Sequence, residues 1–442
     1  MKKLFITNTL TRQKEQFIPL HEKQVLMYVC GITPYDYAHI GHGRVYVTFD
    51  IIYRLLSFLG YKVTYCRNFT DIDDKLINKA AKELNDPMRY QEVAQKFIAA
   101  YHQDMANLAC LPPDYEPYVT QTIPEIINFI TGLINNKKAY VINGSVYYRV
   151  SSFKDYGKLS KQNLDELESG ARVEIDPEKQ SPLDFALWKA EDEHHFWQSP
   201  WGWGRPGWHI ECSAMASKYL GQHIDLHAGG RDLIFPHHEN EIAQSEGLYG
   251  APFAKYWMHN AFVQINKEKM SKSLNNFFTL KDVFAQIDPM VLRYYFANHN
   301  YGTPLDFNLE ELPKIQKSYN RLCLALEQSD SSTINQNELA TSPIVQKLLT
   351  YLCDDLNSSG MFGAIFENLS SLSALEKAYL KAFLQQIMGL SMTYIPEKQA
   401  TITPQIQALI DQRQQARANK NWAEADRLRQ ELTKLGITVQ DK

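Results

Sequence analysis

The apolar run Val25-Leu26-Met27-Tyr28-Val29-Cys30-Gly31 reads as a buried strand. A turn rich in Gly, Pro and His follows. Beyond it, Val45, Phe49, Ile52, Leu56 and Leu59 recur at helical spacing, which predicts a helix over about 43–59. Gly60 is a good stop for it. Residues 62–68, with Val63 and Tyr65 alternating, predict a second strand. Strand, turn, helix, strand is a βαβ unit and the seed of a parallel sheet.

The rhythm then breaks. A helix is expected near 124–136, followed by a hairpin over 139–150 closed by Asn143-Gly144. A charged loop over 154–182 completes what reads as an insertion. Sheet character resumes at Ile224-Asp225-Leu226-His227-Ala228, with a helix from about Pro236 and another strand-like run over 261–265. From Leu309 the pattern is helical, broken by a polar loop over 328–342 and a weak linker over 396–404. A last helical pair is expected over 405–435. The fold class is therefore α/β: a Rossmann-type parallel sheet split by a connective insertion, then an all-α C-terminal region.

Composition narrows the class. The chain has 442 residues, enough for two to four domains, with 44% hydrophobic and 22% charged residues, as in soluble globular proteins. The formal net charge of -4 excludes a global basic field, so a nucleic acid would have to meet local basic patches. Six scattered cysteines without a CxxC pair argue against a disulfide framework and for a reducing compartment. Cys66, Cys110, Cys323 and Cys353 read as small buried hydrophobes. The N-terminus shows no signal-peptide pattern, and no apolar run is long enough to cross a bilayer, so a cytoplasmic location without membrane contact is expected.

Two segments carry chemistry. In Ala38-His39-Ile40-Gly41-His42-Gly43, at a strand-to-helix handover, two histidines can converge on one phosphate before the helix has formed. Gly41 and Gly43 let a ligand approach the backbone. In Lys269-Met270-Ser271-Lys272-Ser273, two lysines flank small hydroxyls, which suits a mobile loop neutralising a leaving pyrophosphate. Taken alone, the second segment would be a solvated basic loop. It gains weight from standing at the far end of the same α/β pattern.

These segments resemble the HIGH and KMSKS motifs of class I aminoacyl-tRNA synthetases. Their surroundings resemble cysteinyl-tRNA synthetases in particular: Asn68-Phe69-Thr70-Asp71-Ile72-Asp73-Asp74-Lys75, the stretch Arg205 to Met215 with Trp208 and Cys212, the stretch Gly229 to Glu241 with His237, and Asn421 to Arg429. The match runs nearly end to end. Asn275 stands where relatives often carry glycine, a small departure because Asn tolerates positive φ. The resemblance implies a division into 1–114 and 205–265 as catalytic halves, 115–204 as connective insertion, 266–315 as KMSKS and stem-contact region, 316–400 as helical bundle and 401–442 as anticodon-binding domain.

Cys30, Cys212, His237 and Glu241 offer thiolate, imidazole and carboxylate, all competent for zinc. Spacing alone leaves His238 with Glu241 open as well. The resemblance selects the first four. It also implies why zinc is needed, since cysteine and serine differ by one atom. Rejecting serine 10⁴-fold takes roughly 5 kcal/mol, more than an apolar pocket supplies. Zinc discriminates chemically, because a thiol ionises on it and a hydroxyl does so poorly. A fifth ligand strains a four-ligand site, so a long bond to Glu241 is expected.

The implied reaction joins L-cysteine to ATP-Mg²⁺ as cysteinyl-adenylate, then passes cysteine to the terminal ribose of tRNA(Cys). His39, His42, Lys269 and Lys272 serve the phosphates, Gly41 and Asp232 help hold ATP, and Thr70 and Trp208 wall the cysteine. A capping Thr70 and a core Trp208 are nearly as well supported. Arg413, Arg417, Lys420, Arg427, Arg429 and Trp422 are candidate tRNA contacts, against a solvated helical face diluted by Glu424, Asp426 and Glu431. A monomer is expected. The main rival is a ligase passing cysteine to an amino sugar, which should lack the final helical pair. A zinc hydrolase would leave both ATP motifs unexplained, and intact His39, His42 and Lys272 speak against a non-catalytic RNA-binding paralogue.

Overall fold

The structure, a computed structural model, describes residues 2–162, 178–270, 277–396 and 404–434. Two compact units emerge, 1–393 and 394–442.

The first unit opens with an antiparallel ribbon, β1 (Phe5–Asn8) and β2 (Gln13–Gln16), that the apolar pattern does not announce. Then come β3 (Gln24–Ile32), α1 (Ile40–Phe58) and β4 (Lys62–Phe69), the expected βαβ unit. Helix α1 starts at Ile40 rather than 43. His39 is its N-cap, and the His39 and His42 side chains each accept the other's backbone N–H. The helix has thus already begun at the histidines, and they supply its cap.

Helices α2 (Asp74–Leu84), α3 (Tyr90–Asn107) and α4 (Ile123–Asn135) lead into the insertion. Its hairpin, β5 (Ala139–Ile142) and β6 (Ser145–Tyr148), turns through Asn143 and Gly144, both at positive φ. Sequence patterning stops at that hairpin. The structure adds β7 (Phe185–Ala190), β8 (Trp197–Ser199) and β9 (Gly202–Pro206), making one antiparallel sheet in the order β5-β6-β7-β9-β8. These strands are short and rich in Trp and Gly, so no clean alternation marks them. Part of the charged 154–182 segment lies outside the described residues.

After α5 (Trp208–Leu220) come β10 (Ile224–Gly230), α6 (Glu239–Tyr249) and β11 (Ala254–Asn260). The main sheet is parallel throughout, in the order β11-β10-β3-β4. Strand β11 is hidden in the sequence because Lys255, His259 and Asn260 interrupt it, although the last two are buried. The 261–265 run contributes only β12 (Val263–Ile265), which pairs with β13 (Glu268–Lys269). Helices α7 (Leu280–Phe284) and α8 (Pro289–Ala297) and strand β14 (Leu305–Asp306) follow.

Helices α9 (Leu312–Ala325), α10 (Gln336–Thr341), α11 (Pro343–Leu352), α12 (Ser358–Asn368) and α13 (Ala374–Gln386) complete this unit. Helix α10 lies inside the stretch expected to be a loop. An Asn335–Glu338 capping box starts it and only Leu339 is buried, so it has no apolar stripe to read. The second unit contains α14 (Pro404–Ala418) and α15 (Trp422–Lys434), packed through Leu409, Ala416, Ala425 and Leu428.

Candidate active site and metal centre

In an open parallel sheet, ligands bind beyond the carboxyl ends of the strands where the winding reverses. Here β3 leads through α1 to β4 on one side and has β10 on the other. A cleft of about 460 Å³ opens there, lined by Cys30, His39, Gly41, His42, Trp208, Asp232, Asn260 and Met270 among others.

The two histidines stack at 3.6 Å between ring centroids. Each Nδ1 accepts a backbone N–H, at 3.2 and 3.3 Å. Each neutral ring therefore carries its proton on Nε2, a donor suited to a phosphate oxygen. Burial, with His39 adding to it, holds His42 well below the usual imidazole range, so it is neutral at pH 7. Gly41 is required by this stack, since a Cβ there would lie 2.9 Å from the His39 ring.

The second motif approaches the first from both of its ends. Residues 278–280 pair with the His39 turn, through Ile40 N–H to the Phe278 carbonyl at 3.1 Å and Leu280 N–H to the Ala38 carbonyl at 2.7 Å. On the other side, β13 leads to Met270, which lines the cleft. The Lys269 side chain and all of Lys272 lie outside the described residues.

Deeper in the cleft floor, strand β3 supplies Cys30, α5 supplies Cys212, and the turn into α6 supplies His237 and Glu241. One donor atom from each lies within 4.8 Å of all the others. Cys30 Sγ is 3.9 Å from Cys212 Sγ and 3.6 Å from Glu241 Oε1, and His237 Nε2 is 3.1 Å from that same oxygen. All four side chains are buried. Burial pushes the Cys30 thiol far up, and Cys212 and Glu241 push it further, so only a bound cation would hold these donors ionised together. The residues fit a thiophilic metal ion.

A second set, Cys30, His227, His238 and Glu241, is equally tight, so the alternative left open by spacing has a geometric basis. The hydrogen bonds do not separate the two, since His238 Nε2 stands 3.2 Å from Cys30 Sγ and 3.9 Å from Glu241 Oε1. His238 Nδ1 meets His259 Nε2 at 2.8 Å, and His259 Nδ1 meets Thr9 Oγ1 at 2.8 Å. His227 Nε2 meets Glu241 Oε2 at 2.8 Å, leaving Oε1 as the oxygen nearest Cys30 and His237. His209 Nδ1 meets His237 Nδ1 at 2.9 Å. His209 and His259 thus hold the far nitrogens of His237 and His238, leaving each Nε2 facing the cluster, as second partners of metal-binding histidines do. The sequence left His238 open as an alternative to His237 and gave His209, His227 and His259 no role; their gathering after strands and at helix starts was the available signal.

Trp208 lines the cleft, 41% exposed, and stacks on His237 at 4.3 Å. It is therefore a wall residue and not core. Thr70 is buried and does not line the cleft; its Oγ1 donates to Glu211 Oε2 at 2.9 Å. Burial drives the Glu211 carboxyl well above the usual range, with the Thr70 hydrogen bond opposing. Asp232 follows β10 and lines the cleft opposite the histidines' helix.

In the second unit, Arg413 is buried, which removes it from the candidate surface contacts. Arg427 pairs with Glu424 and Glu431, and Arg429 stands 3.8 Å from Asp426. Trp422 is 59% exposed.

Comparison with known proteins agrees with this geometry. Residues 16–317 match the family model described as the class I (C) tRNA synthetase catalytic domain, and 400–442 match the cysteinyl-tRNA ligase anticodon binding domain. The cysteine–tRNA ligase of Anoxybacillus flavithermus is 46% identical, covering 99% of this chain and 97% of the relative. That of a Geobacillus species is 46% identical, covering 100% and 98%. Among solved structures, Mycobacterium tuberculosis methionyl-tRNA synthetase with methionyl-adenylate shares the fold, with a TM-score of 0.56 at 12% identity over 84% of this chain and 92% of that one. No helix among the described residues is long and apolar enough to cross a membrane. By sequence over its whole length, the chain belongs to the cysteine–tRNA ligase family of class I tRNA synthetases.

Proposed function

We propose that this chain charges tRNA(Cys) with L-cysteine in two steps, with Cys30, Cys212, His237 and Glu241 as zinc ligands. The observation that carries the reading is the convergence of those four donors within 4.8 Å beneath a cleft walled by His39 and His42. Zinc, when bound, supplies a soft cation on which a substrate thiol ionises and a serine hydroxyl does not.

The chain's own residues do the rest. Trp208 closes one side of the amino-acid site. Thr70, held by Glu211, stiffens the wall behind it. Asp232 and the open backbone at Gly41 accommodate adenosine. A cysteine carboxylate oxygen attacks the α-phosphorus of ATP-Mg²⁺, and the bond to the bridging pyrophosphate oxygen breaks. The Nε2–H groups of His39 and His42 donate to the charged phosphate oxygens, while Lys269 and Lys272 neutralise the departing pyrophosphate. The terminal 2′-hydroxyl of tRNA then attacks the cysteinyl carbonyl, losing its proton, and AMP leaves. No protein nucleophile is required.

The chain is divided, on this reading, into catalytic halves 1–114 and 205–265, an insertion 115–204, a motif and stem-contact region 266–315, a bundle 316–400 and an anticodon-side domain 401–442. Six cysteines without a disulfide suit a monomer working in the reducing cytoplasm. Arg417, Lys420 and Trp422 are the better tRNA candidates in the last domain, since Arg413 is buried.

The test is charging of unfractionated tRNA with labelled cysteine or labelled serine. Cysteine should be esterified and serine should not. Stable transfer of cysteine to an amino sugar but not to tRNA would overturn the reading in favour of its rival.

A further inference from the structure

Lys75 is the second residue of α2, exposed, and lines the cleft. Its Nζ stands 5.0 Å from the centroid of the Tyr35 ring, another cleft residue. Among the described residues no carboxylate lies within 4.0 Å of that Nζ. Its neighbours are used differently. Asp73 caps the helix by accepting the Lys75 backbone N–H at 2.8 Å. Asp74 binds Lys189 of β7, in the insertion, at 2.8 Å and Arg205 of β9, where the insertion returns to the catalytic half, at 2.5 Å. Asp74 therefore fastens the insertion to the base of α2, and Lys75, one residue on, stands at the cleft as a cation backed by an aromatic ring rather than by an acid.

Such a cation is open to an anion entering the cleft. Three kinds meet in this cleft: the ATP phosphates, the substrate carboxylate and the tRNA backbone. The nucleotide crevice lies between β3 and β10, with His39 and His42 following β3 and Asp232 following β10. Lys75 follows β4, on the far side of β3, at the rim bordered by the insertion. Lys75 thus lines the cleft on the side away from the nucleotide crevice. We propose that Lys75 neutralises a phosphodiester of the 3′-terminal nucleotides of incoming tRNA, and so positions the terminal ribose for the transfer step. This rests on the tRNA-charging reading and assigns Lys75 to its second step.

The experiment compares wild type with Lys75→Met, which keeps the stem and removes the charge, and Lys75→Arg, which keeps the charge. Cysteine-dependent ATP–pyrophosphate exchange reads the first step. Single-turnover transfer from enzyme-bound adenylate to tRNA, at several salt concentrations, reads the second. For Lys75→Met, transfer should fall about tenfold or more and exchange by less than about threefold. The slope of log KM for tRNA against log salt should shrink by about 0.7, the value for one single-strand phosphate contact. Lys75→Arg should restore most of both. Equal losses in exchange and transfer, or an unchanged transfer rate and salt slope, would overturn the assignment. Absence of cysteine-dependent exchange in the wild type would instead overturn the ligase reading itself, and this inference with it.

Discussion

His42 shows how one side chain can serve fold and chemistry together. Its Nδ1 caps α1, which fixes the tautomer and directs Nε2–H outward. Replacing it with Asn should lower kcat for pyrophosphate exchange about 10²-fold, the cost of losing one preorganised donor, with KM for cysteine within about threefold. Steady-state exchange kinetics check this. Asp104 makes a different residue-scale prediction. Its Oδ2 is buried without a hydrogen-bond partner, and burial pushes its pKa up to about 6, with Lys281 opposing. The folded state thus favours the protonated carboxyl. Relative to an ordinary carboxyl near 3.8, stability is lost as pH rises from about 4 to about 6 and stays lost above. Asp104→Asn should therefore raise the melting temperature at pH 7.5 and lose that advantage near pH 4, which thermal melts at the two pH values will show. Both residues also mark what sequence conveys: the place of His42 at the strand-to-helix handover was legible from its motif, whereas its cap geometry and the isolation of Asp104 depend on three-dimensional packing.

At the scale of elements, the site is a set of junctions. The histidine turn joins β3 to α1 and is pinned by residues 278–280. Gly41→Ala should push the His39 ring from its place and lower exchange about tenfold to a hundredfold, with little change in melting temperature. Equal activity would show that the stack is adjustable. The βαβ unit, the hairpin at Asn143-Gly144 and the terminal helical pair were readable because period and turn chemistry agree there. Strand β11 was not, because His259 and Asn260 are polar for the sake of the site. Strands β7 to β9 were too short to establish a period, and α10 buries too little to show a stripe. The proposed metal donors come from separate elements, so no local spacing could have gathered them. Resemblance supplied the set, and geometry showed it converging beside a second set that shares Cys30 and Glu241.

Across the whole first unit, Arg293 ties distant parts together. From α8 it pairs with Asp50 of α1 at 2.5 Å and donates to the carbonyls of Leu108 and Met388. Gly389 leaves room for it, since a Cβ there would lie 2.3 Å from the guanidinium. Arg293→Met should cost about 3 kcal/mol, the low end for breaking a buried pair, because Arg54 still holds Asp50 at 2.8 Å. Denaturant unfolding measures it. This knot was invisible in sequence because its partners lie 95 to 243 positions from Arg293. The division into an α/β engine and a helical remainder was legible, because those classes have different periods over long stretches. In the proposed function, selection of cysteine rests on a metal held by Cys30, Cys212, His237 and Glu241. ATP–pyrophosphate exchange with cysteine and with serine, before metal removal, after it, and after zinc is restored, tests this directly. Exchange is expected with cysteine alone, lost on removal and recovered with zinc. Equal exchange with serine, or cysteine exchange undiminished in metal-free protein, would contradict it.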